Sequence, residues 1–259
     1  MQIHALANQK GGCGKTTTAI HLAAGLHCRD QRVLLIDLDP QAHATLGLGC
    51  FVGTGPSALE VLLGEVDLAR ASRELRPGFD VLPATLGLGE FEEAAVHALR
   101  PEHALHQALE RTLERYDHVL VDCPPRADGV LTANALRAAT DVLLVVETGA
   151  FALQGALRAA EIFDRLLAEQ DHEPRRRVLA TMFDRRTRFA REVLVAMQAR
   201  FGPSMFDTAI RQSVRLREAV ASGQPAVFTA PRSYAARDHL ALADEVLASA
   251  KTPVPFLGT

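Results

Sequence analysis

Tryptophan is absent from these 259 residues, and aromatic side chains make up only 5% of them. A protein that grips single-stranded nucleic acid by stacking bases on aromatic platforms is therefore not expected. Cysteine is scarce as well. Cys13, Cys28, Cys50 and Cys123 form no C-x-x-C pair, which speaks against a disulfide framework or a cysteine metal site and for reduced thiols in the cytosol. No apolar run approaches the roughly 18 residues of a membrane span. Met1-Gln2-Ile3 enters the first apolar run without a basic leader, so no signal peptide is expected. The rarest feature is lysine. Only Lys10, Lys15 and Lys251 occur, and arginine serves everywhere else.

What is present fits a soluble α/β protein: 48% hydrophobic and 23% charged residues, in a length that suits one large domain over 1–259. Apolar runs at 3–8, 32–37, 79–83, 117–122, 141–146 and 177–183 read as buried strands. Amphipathic stretches near 16–28, 101–115, 152–170 and 189–200 read as helices between them. Such alternation predicts a doubly wound, mostly parallel sheet with helices on both faces, and ligands at the carboxyl ends of its strands. A last helix is expected over 233–250, stopped by Pro253 and Pro255. Its charges, Arg237, Asp238, Asp244 and Glu245, are not those of a membrane-binding face.

The stretch NQKGGCGKTTT, residues 8–18, follows the first strand and opens a helix. Gly11, Gly12, Cys13 and Gly14 let backbone amides approach phosphate oxygens, and the helix N-terminus at Thr16 and Thr17 adds a positive dipole end. Lys15 is placed for the β- and γ-phosphates of ATP, and the Thr16 hydroxyl for Mg²⁺. Two further strands end in acids near this loop. VLLIDLDPQ (33–41) brings Asp37 and Asp39, and HVLVDCPP (118–125) ends at Asp122, followed by a proline-broken switch segment. Carboxylates beside a triphosphate serve the metal or the attacking water, with Asp122 assigned to Mg²⁺.

The usual phosphate loop reads G-x-x-x-x-G-K-[ST]. Here its first glycine is missing and Lys10 stands five residues before Lys15. This resembles the deviant Walker A signature, K-G-G-x-G-K-[ST], of the ParA/MinD family of P-loop ATPases. Further stretches are similar to the short ParA/Soj-type members: GFDVLPA (78–84), LTANAL (131–136), ALQG (152–155), LATMFDRRT (179–187) and VRLREA (214–219). So is a start at the first strand without a helix-turn-helix extension. The resemblance implies slow ATP hydrolysis and a homodimer formed around two ATP molecules. Lys10 would reach the phosphates of the partner, Asp39 would position the water, and Asp37 would stand in the outer sphere of Mg²⁺. It also implies non-specific binding to double-stranded DNA, nucleoid association in the ATP state, and a ParB-like or other adaptor protein that links the ATPase to a cargo.

Charge supports the nucleic-acid expectation. Between 175 and 217 lie eleven arginines against three acids, in a chain whose net charge is −3. The resemblance assigns DNA phosphates to Arg186 and Arg215, with Arg185, Arg188, Arg211 and Arg217 as neighbours. Three departures from the family stand out. Arg126-Ala127-Asp128-Gly129 is one residue longer than the usual bridge after the switch prolines. Ile210-Arg211-Gln212-Ser213-Val214-Arg215-Leu216 lacks the family's proline, and Leu144-Val145-Val146 replaces a strand that usually ends I-P-V. The alternatives are a MinD-like positioning ATPase and a synthetase of the dethiobiotin or cobyrinic acid type, which share the loop.

Overall fold

The computed structural model describes residues 1–51, 53, 55–112, 114–168 and 173–249. Ala250, Pro253 and Pro255, expected to end and follow the last helix, lie outside the described residues, as does Lys251.

Seven strands form one sheet: β1 (Gln2–Ala7), β2 (Val33–Asp37), β3 (Arg73–Arg76), β4 (Phe79–Leu82), β5 (His118–Asp122), β6 (Asp141–Glu147) and β7 (Arg175–Thr181). Their order across the sheet is β3-β4-β2-β5-β1-β6-β7, and every neighbouring pair is parallel except β3 with β4. Side chains alternate between two separate cores. Leu34, Ile36, Val119, Val121, Val142 and Leu144 enter one, while Val33, Leu35, Leu120, Leu143 and Val145 enter the other. A strand buried on both faces needs apolar residues at every position, which explains the continuous runs in the sequence.

Helices cover both faces. Lys15–His27 packs against Tyr234–Ser249 on one side, and Val130–Ala138, Ala152–Leu167 and Arg188–Phe201 cover the other. Lys15–His27 is buried almost all round, from Thr18 through Leu26. Its Gly25 allows the last helix to approach closely, since a Cβ there would sit 3.0 Å from the His239 carbonyl oxygen.

Three features depart from the sequence expectations. β3 escaped notice because RELR carries no apolar stripe; it is a short antiparallel edge strand with half its residues exposed. The helix expected over 101–115 is a 3₁₀ turn at Pro101–His103 followed by Ala104–Glu110. β7 ends at Thr181 rather than at 183, because Met182 turns to a positive φ of 54°.

Candidate nucleotide site and arginine face

The carboxyl ends of β1, β2 and β5 meet at the phosphate loop. Gly12 and Gly14 have φ of 76° and 95°, values that strain any L-residue, so glycine is required for the loop's curl. Gly14 caps the helix Lys15–His27. The Cys13 side chain is fully buried in the core, and its carbonyl accepts a 2.7 Å hydrogen bond from Thr181 Oγ1. Cys13 can therefore offer a ligand only its amide. Asn8 anchors the other end of the loop, donating to the Val145 carbonyl (2.6 Å) and accepting from the Lys10 amide (3.2 Å). Neither Asn8 nor Thr181 was singled out from the sequence, because their task is to hold loop backbone and no local pattern marks it.

The two lysines differ in setting. Lys15 is buried, and its ammonium donates back to the Lys10 carbonyl at 3.3 Å. The Lys10 side chain is 56% exposed and ion-paired with Glu147, the last residue of β6. Gly11, Gly12, Gly14, Lys15, Thr16, Thr17 and Asp39 line one cavity of about 530 Å³, to which Gln41, His43, Pro125 and Met182 also contribute.

The three acids are not equivalent. Asp37 faces Asp122 across adjacent strands. Its Oδ2 accepts from the Thr45 amide (2.8 Å) and hydroxyl (2.7 Å), and its Oδ1 from the Asp39 amide (3.1 Å). Burial pushes its pKa up to about 6 against those hydrogen bonds. Asp37 is therefore a clamp on the turn that carries Asp39, a task beyond the outer-sphere position expected of it. The strand ends at Asp37, so this turn places Asp39. Asp122 is different: it is fully buried, and apart from the nearby Thr16 hydroxyl neither carboxylate oxygen has a hydrogen-bond partner among the described residues. Burial and the neighbouring Asp37 push its pKa well up, opposed by the Thr16 hydroxyl and the Lys15 ammonium. A buried, sparsely partnered carboxylate beside a phosphate loop has the chemistry of a ligand for a hard divalent cation.

The arginine surplus divides in two. Arg175, Arg176 and Arg177 lie on β7 and are taken up inside the protein. Arg175 pairs with Asp141 and Arg176 with Asp164 and Glu173, while Arg177 lies 3.6 Å over the Phe206 ring with Glu245 beside it. The other group gathers around a hollow of about 580 Å³ walled by Arg185, Arg186, Arg211, Arg215 and Arg217, with Arg232 and Tyr234 added from beyond the segment considered. Arg188 stands outside that lining and pairs with Glu192 along its own helix. Arg186 is held by Asp184, Arg215 by Glu218, and Arg211 by the buried Asp238. Among the described residues no acid pairs with Arg185, Arg217 or Arg232.

Sheet order, phosphate loop and acids define a P-loop nucleotide hydrolase. The chain matches the family described as AAA domain over residues 1–173. It is 42% identical to the chromosome-partitioning ATPase Soj of Thermus thermophilus over 253 residues, 94% of each chain. It is 37% identical to the chromosome partitioning protein ParA of Caulobacter vibrioides over 254 residues, 95% of this chain and 94% of that one. Among solved structures it resembles cobyrinic acid a,c-diamide synthase of Mycobacterium smegmatis with bound ATP analogue and magnesium. The TM-score is 0.85 at 30% identity, with both chains fully covered. The chain belongs to the ParA/Soj family of deviant Walker A ATPases. No helix among the described residues is long and apolar enough to cross a membrane.

Proposed function

We propose that this protein is a partition-type ATPase that binds ATP and Mg²⁺, dimerises in that state, and holds double-stranded DNA without sequence preference until hydrolysis releases it. The observation that carries the reading is Asp122, a fully buried carboxylate with no partner among the described residues beyond the nearby Thr16 hydroxyl and Lys15 ammonium. The amides of residues 11–17 and Lys15 hold the phosphates, and Thr16 and Asp122 hold Mg²⁺, which supplies neutralisation of phosphate charge. Asp37 fixes the turn from which Asp39 orients the attacking water. Lys10 leaves Glu147 to reach the phosphates of a second copy. A ParB-like or other adaptor accelerates hydrolysis and links the cycle to a cargo: chromosome, plasmid or protein assembly. This places the protein in the cytoplasm, on the nucleoid when ATP-bound.

The likeness to a cobyrinic acid synthase structure supports a second reading as a synthetase. It rests on 30% identity, against 36–42% for the Soj and ParA relatives, and leaves the arginine hollow without a task. The deciding experiment is sedimentation of parent and Lys15→Ala with ATP and Mg²⁺, with and without unrelated duplexes. Parent dimers that bind every duplex alike, and a variant that does neither, support partition. A parent that stays monomeric and ignores DNA at any salt returns the synthetase.

A further inference from the structure

The longer switch bridge places an arginine, Arg126, one residue beyond Pro125, which lines the nucleotide cavity and would touch a Cβ on Gly11 at 3.8 Å. Its backbone is fixed. The Arg126 carbonyl accepts from Thr132 Oγ1 at 2.7 Å, and Ala127 is buried in the core. Its side chain is not fixed. It is 68% exposed, and its approaches to Glu92 (3.9 Å) and Asp128 (3.6 Å) are longer than hydrogen bonds. Such exposed pairs hold a guanidinium weakly, by about 0–1 kcal/mol, so little opposes its redirection.

Within one copy the cavity is poor in cations. Among the described residues lining it, Lys15 and His43 are the only basic side chains, and the Lys10 side chain of the same copy is engaged by Glu147 and bound for the phosphates of a second copy. Three acids crowd the same end of the sheet. In hydrolysis a water oxygen bonds to the γ-phosphorus as the bond from that phosphorus to the bridging oxygen breaks. The bond's electron pair leaves on ADP, and the water's proton passes to the phosphate product or solvent. Charge builds on the bridging and equatorial oxygens in that transition state.

We infer that Arg126 is a catalytic arginine carried by the switch segment, which leaves Glu92 and Asp128 and donates to the γ-phosphoryl oxygens bound by its own chain as they gain charge. The inference rests on the ATPase reading. It separates Arg126 from a mere strut between switch and helix, because a strut would need Glu92 and an arginine donating to phosphate would not.

The test compares parent, Arg126→Ala, Arg126→Lys, Glu92→Gln and Lys15→Ala in single-turnover ATP hydrolysis, in binding of AMPPNP, and in binding of ADP with aluminium fluoride, which imitates the transition state. Expected are a loss of at least about 100-fold in rate for Arg126→Ala, with a similar loss for ADP–aluminium fluoride and AMPPNP affinity within about twofold of the parent. Arg126→Lys should fall between them, and Glu92→Gln should match or exceed the parent. An Arg126→Ala rate within about threefold of the parent overturns the inference, as does an equal loss in Glu92→Gln. If Lys15→Ala binds AMPPNP like the parent, the ATPase reading falls and the inference falls with it.

Discussion

Lys10 of the phosphate loop is ion-paired with Glu147 of the same chain, so the residue that distinguishes this loop is engaged within the protein before any second copy arrives. Glu147 ends β6 beside the loop, and the pair is half-exposed. Leaving it therefore costs little. Exposed pairs of this kind contribute about 0.2–1 kcal/mol.

Glu147→Gln should accordingly favour the dimer, lowering the protein concentration at the ATP-dependent dimerisation midpoint by about 2- to 5-fold. Lys10→Ala should bind ATP through Lys15 and remain a monomer. Sedimentation velocity with ATP and Mg²⁺ reads both. A Lys10→Ala variant that dimerises like the parent removes the intersubunit role from this lysine.

The second prediction concerns the clamp below Asp39. The Thr45 hydroxyl donates to Asp37 Oδ2 at 2.7 Å and accepts from the Ala84 amide at 2.9 Å, all in buried surroundings. Thr45→Val keeps the shape and removes both bonds, at a cost of about 1–3 kcal/mol. Urea unfolding should show that loss. Hydrolysis should fall with it, because the turn bearing Asp39 loses part of its anchor. Unchanged stability would mean that the amide of Thr45 alone secures Asp37.

How much of this was visible in the sequence depends on how local each task is. The phosphate loop was legible because strand, glycines, Lys15 and helix follow one another within a dozen residues. The parallel sheet was legible because burial on both faces writes itself as unbroken apolar runs. Glu147, Thr181 and Thr45 were not, since each meets its partner across the fold and is an ordinary residue in its own neighbourhood. The arginine segment misled for the same reason. Arg175 to Arg177 adjoin Arg185 and Arg186 in sequence, but β7 carries them into pairs with Asp141, Asp164, Glu173 and Glu245, away from the hollow.

Acid should destabilise the fold through its buried histidines. Burial lowers His4 to about 4, His21 to about 3 and His239 to about 4. Each folded-state pKa lies below the unfolded value near 6.5, so the unfolded chain binds more protons. Stability is complete above pH 6.5 and is lost as pH falls below it. At pH 5 the loss is about 2 kcal/mol for each histidine. Asp37, raised to about 6, acts in the opposite sense over the same range and offsets part of it. His21→Leu should lower the proton uptake on unfolding at pH 5 by about one, read from the pH dependence of urea midpoints. An unchanged slope would mean that His21 is already protonated in the fold.

The last prediction ranks the arginines. Phosphate contacts carry affinity and salt dependence without sequence information, so each freely available guanidinium should count and each engaged one should count less. Arg185 and Arg217 line the hollow without an acid partner among the described residues, whereas Arg188 is paired with Glu192 outside it. Arg186 holds the half-buried Asp184 and Arg215 the exposed Glu218, and both guanidinium groups are themselves exposed, so a phosphate can displace either acid. Arg211 is held by the buried Asp238, so Arg211→Ala should chiefly cost stability and leave that carboxylate unpaired. A dimer that presents the hollow twice makes about six to ten phosphate contacts, and affinity should then fall roughly 10³- to 10⁵-fold between 50 and 200 mM salt. The Arg185→Ala/Arg217→Ala and Arg186→Ala/Arg215→Ala variants should lose DNA binding and flatten that slope, with ATP-dependent dimerisation intact. Arg188→Ala should bind nearly as the parent does. Equal binding by all of these variants would take the DNA contacts away from Arg185, Arg186, Arg215 and Arg217, the four arginines of the hollow that a phosphate can reach most cheaply.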